Sequence, residues 1–138
     1  MKKIPLISFV LFLIIVINAC SFSITTANFT NIQVATQVDS SNRPIKTTNV
    51  LATDSEMIYV TGTLKNAPEG TVIKALWIYH TESDESIDID SASLDIKDST
   101  TDFSFSLSIP DSGWPIGKYE VKLFIDEKYK QSVYFEVK

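Results

Sequence analysis

The side chains with most chemical potential here are a run of carboxylates, a single histidine, a single cysteine and two tryptophans. Glu82, Asp84, Glu85, Asp88 and Asp90 place five carboxylates within nine residues. Such clusters can hold calcium, which takes about 6–8 oxygen ligands from carboxylates and carbonyls. The run lacks the glycine-punctuated D-x-D-x-D-G order, and alternation puts Asp88 and Asp90 on one strand face, so a solvated, aggregation-resistant edge also explains it. His80 is followed by Thr81 and Glu82, and a histidine near acids can act as a general base. No Ser, Cys or Asp stands at nucleophile spacing, and neither G-x-S-x-G nor H-E-x-x-H occurs. His80 therefore reads as a strand-end histidine, and neither enzymatic activity nor a cofactor is expected. Trp114 lies between Gly113 and Pro115. On a loop tip it would serve sugar or protein recognition; turned inward, it would cap the core. Phe124 and Tyr134 fall out of phase with the inward residues of their strands, and if those strands pair they form one exposed patch, a candidate partner face.

The one cysteine, Cys20, excludes an intramolecular disulfide and a thiolate-cage metal site. Its position is informative. Lys2 and Lys3 precede an apolar run from Leu6 to Ile17, broken only by Ser8, and Asn18-Ala19-Cys20 follows. That is the layout of a secretory signal peptide. The run is shorter than the ~20 apolar residues of a spanning helix, so a permanent transmembrane anchor is not expected. Ile17-Asn18-Ala19-Cys20 resembles the lipobox of bacterial lipoproteins, in which an aliphatic and a small residue precede an invariant cysteine. The resemblance implies a diacylglycerol thioether on Cys20, cleavage that makes Cys20 the N-terminus, and a place on the cell or outer membrane facing the periplasm or the exterior. Two rival readings remain: Thr25-Thr26-Ala27 suits ordinary signal peptidase, releasing a soluble chain from Asn28, or the leader stays uncut.

The formal net charge is −5, and removal of Lys2 and Lys3 with the leader leaves 10 basic against 17 acidic residues, net −7. An acidic body is repelled by anionic headgroups, so lipid rather than charge would hold it at the membrane. The same balance argues against nucleic acid as a partner. The expected partners are the membrane, through Cys20, and a protein.

These residues need a scaffold. With 138 residues, 44% hydrophobic and 11% aromatic, one packed domain is expected. Residues 1–19 read as the leader and 20–31 as a Ser/Thr/Asn-rich tether. From Ile32 onward, apolar residues alternate with period two, as on strands with one buried face. Ile58-Val60-Gly62-Leu64, Phe103-Phe105-Leu107-Ile109 and Tyr119-Val121-Leu123-Ile125 are the clearest runs. Residues 71–79 are apolar on both faces, as in a central strand, with Trp77 in its middle. Ile87, Ile89 and Leu94 are the expected inward residues of a polar strand, and residues 45–55 fit a short edge strand. About seven strands over 32–138 predict an all-β antiparallel sandwich. The proline-bearing loop from Ile109 and the Gly117-Lys118-Tyr119 that opens the penultimate strand resemble the tyrosine corner of immunoglobulin-like and fibronectin-type domains. The resemblance implies that the Tyr119 hydroxyl ties back onto the loop, with Trp77 in the core and no inter-sheet disulfide. The expected function is an exported, lipid-anchored immunoglobulin-like module for binding or spacing. The rivals are a carbohydrate- or calcium-binding accessory module and an inhibitor or accessory subunit of another exported protein.

Overall fold

The structure, a computed structural model, describes residues 25–138. The leader (1–19), Cys20 and residues 21–24 of the expected tether lie outside the described residues. The described strands are β1 (Asn28–Val38), β2 (Pro44–Thr47), β3 (Val50–Leu51), β4 (Met57–Lys65), β5 (Val72–His80), β6 (Ser86–Asp95), β7 (Thr101–Ser108), β8 (Gly117–Ile125) and β9 (Lys128–Val137). Two sheets form, in the orders β2-β1-β4-β7 and β3-β9-β8-β5-β6. Neighbours run antiparallel except β3, which adds to β9 in parallel. The ambiguous segment 45–55 is thus two short strands, one at the edge of each sheet, and it carries the chain from one layer to the other. Among the described residues no helix is long and apolar enough to cross a membrane.

The inner faces meet as the alternation predicts. Ile58, Val60, Leu64, Phe103 and Phe105 from one sheet close on Ile73, Ala75, Trp77, Val121, Leu123 and Ile125 from the other. Burying each of the Val, Leu, Ile and Phe side chains among them contributes about 1.5–3 kcal/mol. An aromatic chain organises one end of this core. Tyr119 stacks on Phe135 with ring centroids 4.9 Å apart, and Trp77 meets Phe135 edge-on at 6.2 Å.

The first strand begins at Asn28 rather than Ile32, because Asn28–Thr30 pair with Thr63–Lys65. Phe29 is buried against Phe103 at 5.5 Å. A register shift between Thr30 and Gln33, with Asn31 at φ 54°, breaks the period-two pattern there. The alternation was therefore hidden, and four residues assigned to the tether belong to the domain.

Pairing fixes the two poles. Asn28, the 66–71 and 96–100 connections and the Asp126-Glu127 turn lie at one pole. The 81–85 turn and the 109–116 loop lie at the other. Asp126 and Glu127 both have positive φ, 47° and 68°, as in the primed two-residue hairpin turn. Asp126 also accepts a hydrogen bond from the Val72 N–H at 2.9 Å, tying this turn to β5.

The β1–β2 hairpin does not lie flat at its edge. Register shifts at Ala35/Gln37 and Gln37/Val38 bend it. Asp39 closes its turn by accepting from the N–H groups of Ser41 (2.8 Å) and Arg43 (3.0 Å). The tip reaches across the outer face to β7, where Arg43 Nε donates to Asp102 at 2.9 Å and Ser104 Oγ donates to Asn42 Oδ1 at 2.9 Å. The hairpin is a strap over β4.

Candidate functional site

Three surfaces carry the residues singled out in the sequence. The first is the outer face of the five-stranded sheet. On β8 the inward residues are Tyr119, Val121, Leu123 and Ile125, so Glu120, Lys122 and Phe124 point outward, and the pairing of β8 with β9 puts Tyr134 opposite Glu120. Phe124 and Tyr134 do share this face, but they do not make one apolar patch. A register shift after Leu123 sets Tyr129 opposite Phe124, and Lys122 and Ser132 lie between the two candidates. Phe124 is half-buried, meeting Tyr129 edge-on at 5.9 Å with Lys74 Nζ 4.6 Å over its ring. Tyr134 is exposed.

Beside Tyr134 is a polar hub. Glu120 is 7% exposed, and its carboxylate accepts from Ser132 Oγ at 2.5 Å and Tyr134 Oη at 3.3 Å, while His80 Nε2 lies 2.9 Å from its other oxygen. With Nε2–H aimed at the carboxylate, His80 Nδ1 is left to accept from Ser86 Oγ at 3.1 Å. Burial pushes the Glu120 carboxyl up, but the hydrogen bonds from Ser132 and His80, helped by the Lys122 charge, outweigh it and hold it below the usual carboxylate range. His80 therefore pairs with a glutamate 40 residues away and not with its acidic sequence neighbours. The signal for Glu120 in the sequence was a charged residue on the outward phase of a strand flanked on both sides.

The second surface is the β6 edge. Ile87, Ile89 and Leu94 are on the inner side as expected, yet they are 50%, 40% and 37% exposed because the covering sheet ends at β7. All ten residues of β6 are exposed. Beside it lies a hollow of about 210 Å³ lined by Tyr79, Ile87, Ile89, Pro110, Trp114 and Tyr119. Trp114 forms its floor and is not a loop-tip aromatic. It is 3% exposed, donates from Nε1 to the Ser55 carbonyl at 2.6 Å and meets Tyr119 edge-on at 6.1 Å. A buried indole needs that partner, which is how the inward reading of Trp114 prevails over the exposed one. The tyrosine corner is present: Tyr119 Oη donates to the Pro115 carbonyl at 2.7 Å, and burial pushes the phenol up to about 12. Gly117, at φ 146°, opens β8 because an added Cβ would come within 2.9 Å of the Tyr79 ring.

The third surface is the acidic run, which forms the β5–β6 turn. Thr81 N–H donates to the Glu85 carbonyl at 2.8 Å, Glu85 N–H donates to Thr81 Oγ1 at 3.1 Å, and Asp84 sits at φ 61°. Glu82, Asp84, Glu85, Asp88 and Asp90 are all exposed. Asp88 and Asp90 do not share a face. A register shift places Asp88 opposite the outward Ile78 and Asp90 opposite the inward Trp77. Among the described residues no group of three or more acids, histidines or cysteines converges on a metal position. Cys20 lies outside the described residues.

No family model matches the chain, and no curated protein matches it. Solved structures do. An immunoglobulin-like protein from Pseudomonas aeruginosa matches with a TM-score of 0.52 and 15% identity over 81% of this chain and 96% of that one. Alkylpurine DNA glycosylase AlkC of Pseudomonas fluorescens, bound to DNA containing an abasic site analog, matches with a TM-score of 0.52 and 15% identity, over 81% of this chain and 30% of that one. The chain thus spans under a third of the glycosylase. Both likenesses are of fold, and the one to the immunoglobulin-like protein supports the immunoglobulin-like sandwich.

Proposed function

We propose that the chain is an exported lipoprotein that holds a non-catalytic immunoglobulin-like module close to a membrane and binds an extended segment of another exported protein along the β6 edge. The anchor rests on the basic and apolar leader and on Cys20. The domain boundary favours cleavage at Cys20 over cleavage after Ala27. Ala27 is buried and Thr26 Oγ1 donates to the Asn66 carbonyl at 3.2 Å, so a cut there would remove packed residues and leave a charged amine at the start of β1. The five residue steps from Cys20 to Thr25 reach at most about 18 Å when extended. The pole holding Asn28 would then sit nearest the lipid, with the 81–85 turn, the 109–116 loop and the hollow on the far side.

The observation that carries the binding reading is β6 itself: a ten-residue edge strand, exposed throughout, with Ile87 and Ile89 uncovered beside an apolar hollow and Leu94 uncovered farther along the strand. Such an edge offers backbone pairing for affinity and a pocket for specificity. The acids on and beside it set the occupant's charge. Asp88, Asp90 and Asp95 repel a second copy of the same edge, whereas a strand with apolar and basic residues is complementary to both the hollow and the acidic turn. A photo-crosslinking residue at position 89, activated in the native envelope, tests this. Adducts should map to an extended segment of one exported protein that carries Lys or Arg beside apolar residues. Adducts only to a second copy or to lipid would overturn the binding reading.

A further inference from the structure

The two sheets differ by one strand. They face each other in the orders β2-β1-β4-β7 and β3-β9-β8-β5-β6, with β1 packed against β9. Matched in that order, β4 lies over β8 and β7 over β5, and β6 has no strand above it. The inner side of β6 is therefore a shelf one strand wide, with Ile87 and Ile89 toward one end and Leu94 toward the other, all exposed. β7 borders that shelf, and among the described residues its backbone pairs only with β4. In an antiparallel pair alternate residues turn both N–H and C=O away from the neighbour, so the far edge of β7 is a row of free backbone groups.

We propose that a single extended segment of the partner pairs with β7 as a fifth strand of the smaller sheet and closes that sheet over β6. This rests on the edge-binding reading and moves the backbone pairing from β6 to β7. A strand beside β6 would lengthen the larger sheet and leave Ile87, Ile89 and Leu94 without a facing layer. A strand beside β7 sets its inner side chains over them, at the spacing of about 10 Å between packed sheets. A second copy of this chain is a poor occupant. Its β2, β3 and β7 are each backed by a strand of the facing sheet, which would meet β6. Its own β6 would fit only by setting Asp90 against Asp90. The shelf also dictates the segment's side chains. The hollow at its far-pole end offers no free donor, because Trp114 Nε1, Tyr119 Oη and Tyr79 Oη donate to the Ser55, Pro115 and Ile116 carbonyls. It takes an apolar side chain. Asp90 comes next on the inner side, exposed, and among the described residues its carboxylate accepts only from the Ser91 N–H. A facing Lys or Arg complements it. Ala92 and Leu94 complete the shelf and call for apolar residues. Read antiparallel to β7, the segment is apolar, basic, apolar and apolar at alternate positions.

The probe is the acetylated, amidated peptide Thr-Leu-Thr-Lys-Thr-Val-Thr-Leu-Thr, titrated into the full-length, membrane-extracted protein and followed by hydrogen–deuterium exchange. It should bind saturably and slow exchange over residues 101–108 more than over 86–95. Asp90→Lys, at an exposed position, should weaken binding about tenfold, and changing the peptide's lysine to glutamate should restore it. Asp90→Asn should show a smaller loss, and it keeps the test decisive if Asp90→Lys folds poorly. Protection confined to 86–95 would overturn pairing with β7 while leaving edge binding in place. Equal affinity of Asp90→Lys for both peptides, or no saturable binding by the parent protein, would also overturn the proposal. The edge-binding reading itself falls only if position 89 crosslinks to nothing but lipid or a second copy.

Discussion

Glu120 is a carboxylate in the middle of a sheet, and its environment sets how it responds to acid. Its folded-state pKa is depressed, so its contribution to stability is present above the ordinary carboxylate range and is lost as pH falls through the depressed value. Denaturant midpoints should therefore drop by less in Glu120→Gln than in the parent as pH falls below about 4.5. Glu120→Ala should cost about 1–3 kcal/mol at neutral pH, since His80 and Ser132 lose a shared partner. An unchanged acid profile in Glu120→Gln would contradict this account of the hub. Tyr119 behaves oppositely. Its phenol is raised to about 12, so the stability it contributes is complete below about pH 10 and is lost as pH rises toward the folded value. One tyrosine should titrate near pH 12 in the folded protein, and Tyr119→Phe should remove that step and cost about 1–2 kcal/mol as the Pro115 carbonyl loses its donor. Tyr119 was legible because Gly-x-Tyr after a proline loop is a local pattern. The partners of Glu120 were not, since they come from 12, 14 and 40 residues away.

Among the elements, β4, β7, β8 and β9 follow the alternation in the sequence closely because each turns one regular apolar face to the core, while β5, central in its sheet, also buries Ile78 on its outward side. Where a bulge intervenes the sequence misleads: it hid the start of β1, and it split Asp88 from Asp90. The strap was illegible for a similar reason, as its hold on β7 depends on Arg43 meeting Asp102 and Asn42 meeting Ser104 across 59 and 62 residues. Gly62 marks how tightly β1 and β7 close over β4. An added Cβ would run into Ile32 Cδ1 and come within 2.9 Å of Phe103 Cζ. Gly62→Ala should destabilise by about 1–3 kcal/mol through overpacking, read as a lower denaturant midpoint at constant slope. A neutral or stabilising result would mean that the inner faces are looser than described.

For the whole molecule, Asn28 starts β1 at one pole, and the acidic 81–85 turn and the apolar hollow lie toward the other. Fold class was readable from composition and period, while the uncovered side of β6 was not, because alternation says which way a residue points and not whether anything covers it. An acidic domain gains nothing from anionic headgroups, so the proposed hold on a membrane would depend on what Cys20 carries. The most direct measurement is the intact mass of the protein extracted from its host membrane. A chain beginning at Cys20 and bearing a diacylglycerol thioether and an amide-linked acyl group is the predicted result. A lipid-free chain beginning near Asn28, recovered outside the membrane, would contradict it.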